Sequence, residues 1–103
     1  MHITRAAQWF DGRDRPIDPT VWLEVARGDH DLRESGYGDS MVAGAIVRDP
    51  VFDWANDDSV SFGYSRSEGN VVVKGHWEPA VAKTKAIAAI LGAKVQGDEG
   101  EEY

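Results

Sequence analysis

The sequence predicts an α+β protein in which an antiparallel meander of about four strands carries two helices on one face. Two segments with helix-start signals enclose a middle region in which apolar and polar residues alternate. The links within that region are short, and short links join antiparallel neighbours, whereas parallel strands need long crossovers. The chain has 103 residues, which is room for one domain. We therefore expect a single α+β domain over residues 1–96, followed by an acidic C-terminal tail over residues 97–103.

The first predicted helix covers residues 19–27. Asp18 is a good N-cap, because its carboxylate can accept hydrogen bonds from the free N–H groups of the first turn. Pro19 suits the first helical position, where its missing N–H costs nothing. Ile17 and Trp22 have the spacing of a hydrophobic staple. We expect Gly28 to end the helix in the left-handed conformation.

The middle of the chain predicts the meander. Residues 60–65 alternate apolar and small polar side chains, which is typical of a half-buried strand. We expect Gly38-Asp39-Ser40 to be a turn, since these residue types favour turns, and Asp49-Pro50 to break a strand, since proline lacks the N–H donor. The predicted strands are residues 32–37, 41–48, 51–55, 60–65 and 71–73.

A second helix is predicted to begin at Trp77-Glu78-Pro79, again with proline at the first helical position. Gly92 is expected to cap its C-terminus. Residues 93–96 then form a last edge strand, and the sequence leaves open whether that edge pairs with a second copy as a homodimer. The order helix, strands, helix, strand is that of an α+β fold.

Composition excludes several classes of protein. The net charge is −7, which argues against binding nucleic acid or an anionic membrane, where basic residues must neutralise phosphates. The longest uncharged apolar stretch, residues 86–93, is less than half of the roughly 18 residues that a membrane helix needs. The N-terminus lacks the apolar region of a signal peptide, so we expect a cytoplasmic protein. Cysteine is absent, which removes disulfides, thiolate metal sites and thiol nucleophiles.

One serine is a candidate nucleophile. Gly38-Asp39-Ser40-Met41 resembles the opening block of the GDSL-type hydrolases, in which a histidine activates the serine. The closing Asp-x-x-His of that family is absent, because Arg27 and Val73 stand three residues before His30 and His76. A turn is therefore the favoured interpretation and no catalytic residue is assigned. A small hydrolase that uses Ser40, with His30 or His76 as base, is kept as an alternative.

No metal or cofactor is predicted. Asp29-His30-Asp31 places three ligand-type side chains in a row, but in an extended segment His30 points away from its two neighbours. Asp53, Asn56, Asp57 and Asp58 lack the spacing and glycine of a calcium-binding loop. We interpret both groups as helix-end and turn polarity.

The aromatic residues suggest a binding surface. Four tryptophans in 103 residues is a high content, and tryptophan is enriched at binding hot spots. Trp22, Phe62 and Trp77 are expected in the core, whereas Trp54 is a candidate for partial exposure. A small-ligand site between sheet and helix, with Trp54 or Trp77 stacking on the ligand, is the third functional alternative.

The acidic tail and one strand–turn region supply the predicted partner-binding residues. Four acids in residues 97–103, with no base among them, leave residues 1–96 with a net charge of only −3. Such a surface would attract a basic protein partner and speed association. The predicted partner-binding residues are Asp53, Trp54, Asp57, Asp58, Asp98, Glu99, Glu101, Glu102 and Tyr103.

Three segments carry a resemblance. Residues 16–23 (PIDPTVWL), 69–74 (GNVVVK) and 91–101 (LGAKVQGDEGE) look like segments of small, uncharacterised bacterial acidic α+β proteins. Proteins of this kind resemble the immunity proteins that accompany bacterial toxins. The resemblance implies a non-enzymatic protein-interaction module, most concretely an inhibitor that occupies a basic partner's surface, and it transfers no binding residue.

Overall fold

The computed structural model describes residues 1–75 and 78–103, and it confirms the α+β class. The described residues form two α-helices, one 3-10 helix and six strands. They are β1 (His2–Thr4), the 3-10 helix (Trp9–Asp14), α1 (Pro19–Gly28), β2 (Leu32–Val42), β3 (Ala45–Trp54), β4 (Asp57–Ser65), β5 (Asn70–Lys74), α2 (Glu78–Ile90) and β6 (Lys94–Gln96).

The six strands form one antiparallel sheet in the order β2-β3-β4-β5-β1-β6. The prediction of about four strands was too low, mainly because β1 was missed. β1 has only three residues, which is too short for an alternation of apolar and polar side chains to mark a strand in the sequence. This short strand lies between β5 and β6 and joins the predicted meander to the last edge strand.

Helix α1 begins as predicted. Asp18 caps it, and one of its carboxylate oxygens accepts a hydrogen bond from the Thr20 N–H at 2.8 Å. Gly28 does not take the left-handed conformation and is instead the last helical residue. Gly92 does, with φ 63°, in the turn after α2. The start predicted for α2 includes Trp77, which lies outside the described residues, as does His76.

Both helices bury side chains against one face of the sheet. The Trp22 ring of α1 meets the Phe52 ring of β3 edge-on, with 5.9 Å between their centroids. The buried members of this core are Ile3, Ile17, Trp22, Ala26, Leu32, Phe52, Trp54, Val60, Phe62, Val71, Val73, Ala80, Ile87, Ala88, Leu91 and Val95. Trp22 and Phe62 are therefore core residues, as predicted.

The 3-10 helix covers part of the opposite face. Its Trp9 ring stacks on the His2 ring of β1 at 3.9 Å, with the planes 4° apart. The Trp9 N–H donates to the Gln96 side chain at 2.7 Å, and the Asn70 side-chain amide donates to the Trp9 carbonyl at 2.7 Å. These bonds tie the segment across β6, β1 and β5. Among the described residues, no helix covers the β2 to β5 part of this face.

The hairpin formed by β2 and β3 differs from its prediction. Gly38, Asp39 and Ser40 are not a turn but lie within β2, opposite Asp49, Arg48 and Val47 of β3. The turn is at Ala43-Gly44, where φ is 50° and 82°. Pairs of positive-φ residues suit two-residue hairpins, because their twist matches that of the strands.

Asp49-Pro50 does not break β3. Pairing of β3 with β4 starts only at Val51, so at Pro50 the strand has lost its partner on that side. A proline at such an edge position leaves no ladder donor unmatched. Beyond this point β2 and β3 continue as a two-stranded ribbon, residues 37–50, which we call the arm.

No helix in the described part of the chain is long and apolar enough to cross a lipid bilayer.

Candidate functional site

A concavity of 610 Å³ lies where β3 turns into β4, at the root of the β2–β3 hairpin. We call it the acidic concavity, because four carboxylates and one arginine line it. Its lining residues are Arg33, Glu34, Ser35, Asp53, Trp54, Ala55, Asn56, Asp57 and Asp58. The fold thus brings together four of the predicted partner-binding residues, namely Asp53, Trp54, Asp57 and Asp58.

The negative charges of three of these carboxylates are not neutralised by a neighbouring basic side chain of the described residues. Among residues 1–75 and 78–103, no basic side chain lies within ion-pair distance of Asp53, Asp57 or Asp58. Asp57 accepts hydrogen bonds from the Ser59 hydroxyl at 2.6 Å and from the Ser59 N–H at 2.9 Å. These bonds lower the pKa of Asp57, so it stays ionised into mildly acidic solution. The fourth carboxylate, Glu34, accepts from Arg27 at 3.0 Å.

Trp54 is buried, although the sequence made it a candidate for partial exposure. Its side chain faces the core and the residue is only 5% exposed. It shares this face with Phe52, and α1 covers that face of β3. Trp54 therefore contributes to the floor of the acidic concavity, and the contact surface around it is polar.

The tail folds back on the edge strand β6. Glu102 forms an antiparallel bridge with Gln96, and the Tyr103 N–H donates to the Val95 carbonyl at 3.1 Å. The Lys94 ammonium binds the Glu102 carboxylate at 2.7 Å. The edge strand predicted at residues 93–96 exists as β6, but the chain's own tail covers its outer side.

A second attachment holds the start of the tail. The Asp98 carboxylate lies 2.8 Å from His2 Nε2, and the Trp9 indole N–H donates to the Asp98 carbonyl at 3.1 Å. The hydrogen bond with His2 lowers the pKa of Asp98, and the bond from Lys94 lowers that of Glu102. Two of the four tail acids are thus held by contacts within the molecule. Glu99 and Glu101 are exposed and form no ion pair within the described residues.

The predicted partner-binding residues therefore fall into two groups. The first group lines the acidic concavity beside β3 and β4. The second group, in the tail, lies along the far edge of the sheet, with β5, β1 and β6 between the two. The fold does not join them into one continuous surface.

The geometry separates the proposed members of a serine hydrolase. Ser40 lies near the far end of β2, where its hydroxyl accepts a hydrogen bond from the Arg66 N–H at 3.4 Å. His30 precedes the other end of β2, so roughly 25 Å of strand separates the two residues. This distance is far beyond the hydrogen-bond reach that a catalytic base needs. The other predicted base, His76, lies outside the described residues.

A groove of 380 Å³ lies on the open part of the sheet face opposite the helices. Val51 and Val72 contribute to its floor, and the serines 40, 61, 65 and 67 line it together with Lys74. Trp54 faces the other side of the sheet and cannot stack on a ligand in this groove. The small-ligand site was predicted between the sheet and a helix, which is the other face of the sheet, and Trp77, its second predicted tryptophan, lies outside the described residues.

The run Asp29-His30-Asp31 is part of an ion-pair cluster. The Lys83 ammonium of α2 lies 2.6 Å from the Asp29 carboxylate and 3.3 Å from the Asp31 carboxylate, and it ties α2 to the loop between α1 and β2. Across residues 1–75 and 78–103, no three histidine, aspartate or glutamate side chains are grouped so that they could hold a metal ion.

Sequence reasoning missed the apolar face of the arm. Tyr37, Met41 and Ile46 lie on one side of this ribbon and are 66, 64 and 66% exposed. The alternation Tyr37-x-Asp39-x-Met41 is the signal that could have shown it. The turn predicted at residues 38–40 interrupted that pattern and hid it.

Comparison of the chain with protein-family models, with curated proteins and with solved structures finds no match.

Proposed function

We propose that the protein is a non-enzymatic interaction module that binds a basic protein partner through the acidic concavity, in the manner of an immunity-type inhibitor. The single observation that carries the proposal is that Asp53, Asp57 and Asp58 line one concavity without a basic side chain of the described chain paired to them. Seven other acids already form ion pairs within the described residues, Asp39, Asp49 and Glu102 among them.

Charge complementarity is the physical basis of this binding. Unpaired carboxylates that share a concavity raise the local concentration of cationic side chains and increase the association rate. Arginine and lysine side chains of the partner would replace water around these carboxylates. The remaining tail acids, Glu99 and Glu101, add to the long-range attraction and make no required contact in this proposal.

The test compares capture of proteins by immobilised variants from a lysate of the source cells. The concavity variant D53N/D57N/D58N removes three negative charges and keeps the Oδ1 acceptor that Asp57 offers to Ser59. The matched control D11N/D14N/E24Q removes the same charge from exposed acids that form no ion pair within the described residues. Both are compared with the wild-type chain at low and high salt.

We expect the wild-type chain and the control to retain the same basic protein at low salt and to release it at high salt. The concavity variant should retain little of it. The proposal is contradicted if the wild-type chain retains no basic protein, or if the concavity variant retains it as well as the control does. Retention that is insensitive to salt would contradict the electrostatic mechanism.

A further inference from the structure

The arm exposes an apolar face that continues the core face of the sheet. Pro50, Arg48 and Ile46 share one side of β3 with Phe52, which packs against Trp22 of α1. Helix α1 thus covers this face near the root of the hairpin, and no element of the described chain covers the same face along the arm. Of the eight large exposed hydrophobic residues in the described chain, four lie in the arm: Tyr37, Met41, Val42 and Ile46.

A ribbon of two strands needs something packed on it. An isolated two-stranded hairpin is at best marginally stable in water, and it becomes stable when a third strand or another layer covers a hydrophobic face. Tyr37, Met41 and Ile46 together present roughly 400 Å² of largely apolar surface, which is the size of the largest patch on a typical monomer, and such a patch is often functional. Ile90 on α2 is exposed to the same degree, 67%, and is not part of this face.

Both aspartates of the arm are paired with arginines, one of them Arg66 from outside the arm, so the charges of this region balance although the whole protein carries a net charge of −7. The Arg48 guanidinium binds the Asp39 carboxylate at 2.9 Å on the apolar face. The Arg66 guanidinium binds the Asp49 carboxylate with two hydrogen bonds of 2.9 Å on the other face. The excess acids lie in the acidic concavity at the root of the hairpin and in the tail beyond β6, so neither group lies on the arm.

We propose that the apolar face of the arm is the interface of a twofold homodimer, in which the arm of a second copy covers it. A second copy also carries a charge of −7, so it can approach most closely where the charge is balanced. Helix α1 occupies the root side of this face, so the two arms must run antiparallel, with each tip directed towards the other copy's helix layer. A twofold axis near the Asp39–Arg48 pair then places Tyr37 opposite Met41 of the second copy.

The surface area that the two arms would bury is that of a weak dimer. Two patches of this size, with the backbone around them, would bury about 1,000 Å² in total, which is the lower limit of a specific interface. This inference goes beyond the proposed function and uses none of the carboxylates of the acidic concavity. Failure of one proposal therefore leaves the other standing.

Sedimentation equilibrium of the full chain tests the proposal over concentrations from about 5 to about 500 µM, a range that spans the micromolar dissociation constants of weak dimers. We expect the mass to rise from 11.3 kDa towards that of a dimer. The rise should persist or increase at high salt, because salt screens the repulsion between the two net charges. The variant M41T/I46T should remain monomeric, and the control I90Q, which changes an equally exposed residue on α2, should dimerise like the wild-type chain.

Cross-linking gives a readout that does not depend on the stability of M41T/I46T. The chain has no cysteine, so I46C and I90C each carry a single thiol. In the proposed dimer the two Ile46 positions lie about 13 Å apart along the strands, on facing ribbons. A bis-maleimide with a spacer of about 15 Å should therefore convert I46C to covalent dimers at least tenfold faster than I90C. A wild-type chain that stays monomeric at every concentration, or equal cross-linking of the two variants, would overturn the proposal.

Discussion

Asp49 is the residue that fixes the arm to the rest of the protein. It is buried, and both of its carboxylate oxygens accept hydrogen bonds from Arg66, which lies on the loop after β4. Removing one partner of a buried ion pair leaves the other charge without compensation. We expect Asp49→Ala to lower the free energy of unfolding by about 2 kcal/mol, less than for a fully buried pair because Arg66 is partly exposed.

Asp39→Ala is the matched control for Asp49, since it removes the carboxylate of the other arginine–aspartate pair of the arm. Both side chains of that pair are exposed, and water screens exposed pairs. Urea denaturation of the two variants should show a clear loss of stability for Asp49→Ala and little change for Asp39→Ala. Equal losses would mean that the buried pair does not hold the arm.

Gly12 allows the 3-10 helix to lie close to β5. A Cβ atom built at Gly12 would overlap the Asn70 side chain and the Glu68 carbonyl. We expect Gly12→Ala to lower the thermal stability, with a loss of about 2 kcal/mol for overpacking of this kind. Gly36→Ala is the control, because nothing lies within 4 Å of its added Cβ atom. If the two variants melt at the same temperature, the close contact of the 3-10 helix with β5 is not as described.

At the scale of elements, the hairpin turn is a site where the sequence is not optimal. Ala43 has φ 50°, a conformation that costs energy for a residue with a Cβ atom and that asparagine tolerates better. We therefore expect Ala43→Asn to raise the free energy of unfolding by about 0.5 kcal/mol and to slow amide exchange in the arm. Ala45→Asn, within β3, should bring no gain. A loss of stability in Ala43→Asn would contradict the turn geometry.

The tail should detach from β6 in acid before the core unfolds. The bonds from His2 and Lys94 lower the pKa of Asp98 and of Glu102 in the folded chain. A carboxylate whose pKa is lowered by folding stabilises the fold above its unfolded pKa, and this contribution is lost as the pH falls through the folded pKa. The heteronuclear NOE of residues 98–103 should therefore fall below about pH 4, while that of β4 stays high. Unchanged values in the tail would contradict this attachment.

The elements also show which parts of the fold the sequence could predict. Helix α1 was predictable because Asp18 and Pro19 carry local start signals, and β4 because its side chains alternate. The turn of the β2–β3 hairpin was not, since Gly38-Asp39-Ser40 has stronger turn chemistry than Ala43-Gly44. Pairing of β2 with β3 along their whole length overrides that local preference. The residues at the turn do not predict this pairing.

The candidate site was predictable only in part for the same reason. The grouping of Asp53, Asp57 and Asp58 follows from their closeness in sequence around one tight turn. The hydrogen bond between His2 and Asp98 joins residues 96 positions apart in the chain, and no sequence spacing predicts such a contact. The exposure of the apolar face of the arm depends on where the pairing of β3 with β4 stops, which is likewise a property of the assembled sheet.

At the scale of the whole molecule, the charged side chains differ in their pairing between three regions. The acidic concavity holds unpaired carboxylates, the tail holds acids half of which are bound to β1 and β6, and the arm is balanced. This division assigns electrostatic binding of a basic partner to the concavity and apolar self-association to the arm. Salt separates the two, because it should weaken the first and leave or strengthen the second.

The central claim is that the acidic concavity attracts and binds a basic protein, and the association rate constant of the captured partner tests it most directly. It would be measured for the wild-type chain, for D53N/D57N/D58N and for D11N/D14N/E24Q, at about 50 and about 300 mM salt. We expect the wild-type rate to fall about tenfold at the higher salt, and the concavity variant to associate about tenfold more slowly than the control at the lower salt. Equal rates for the two variants would contradict the claim, because the position of the lost charges would then have no effect.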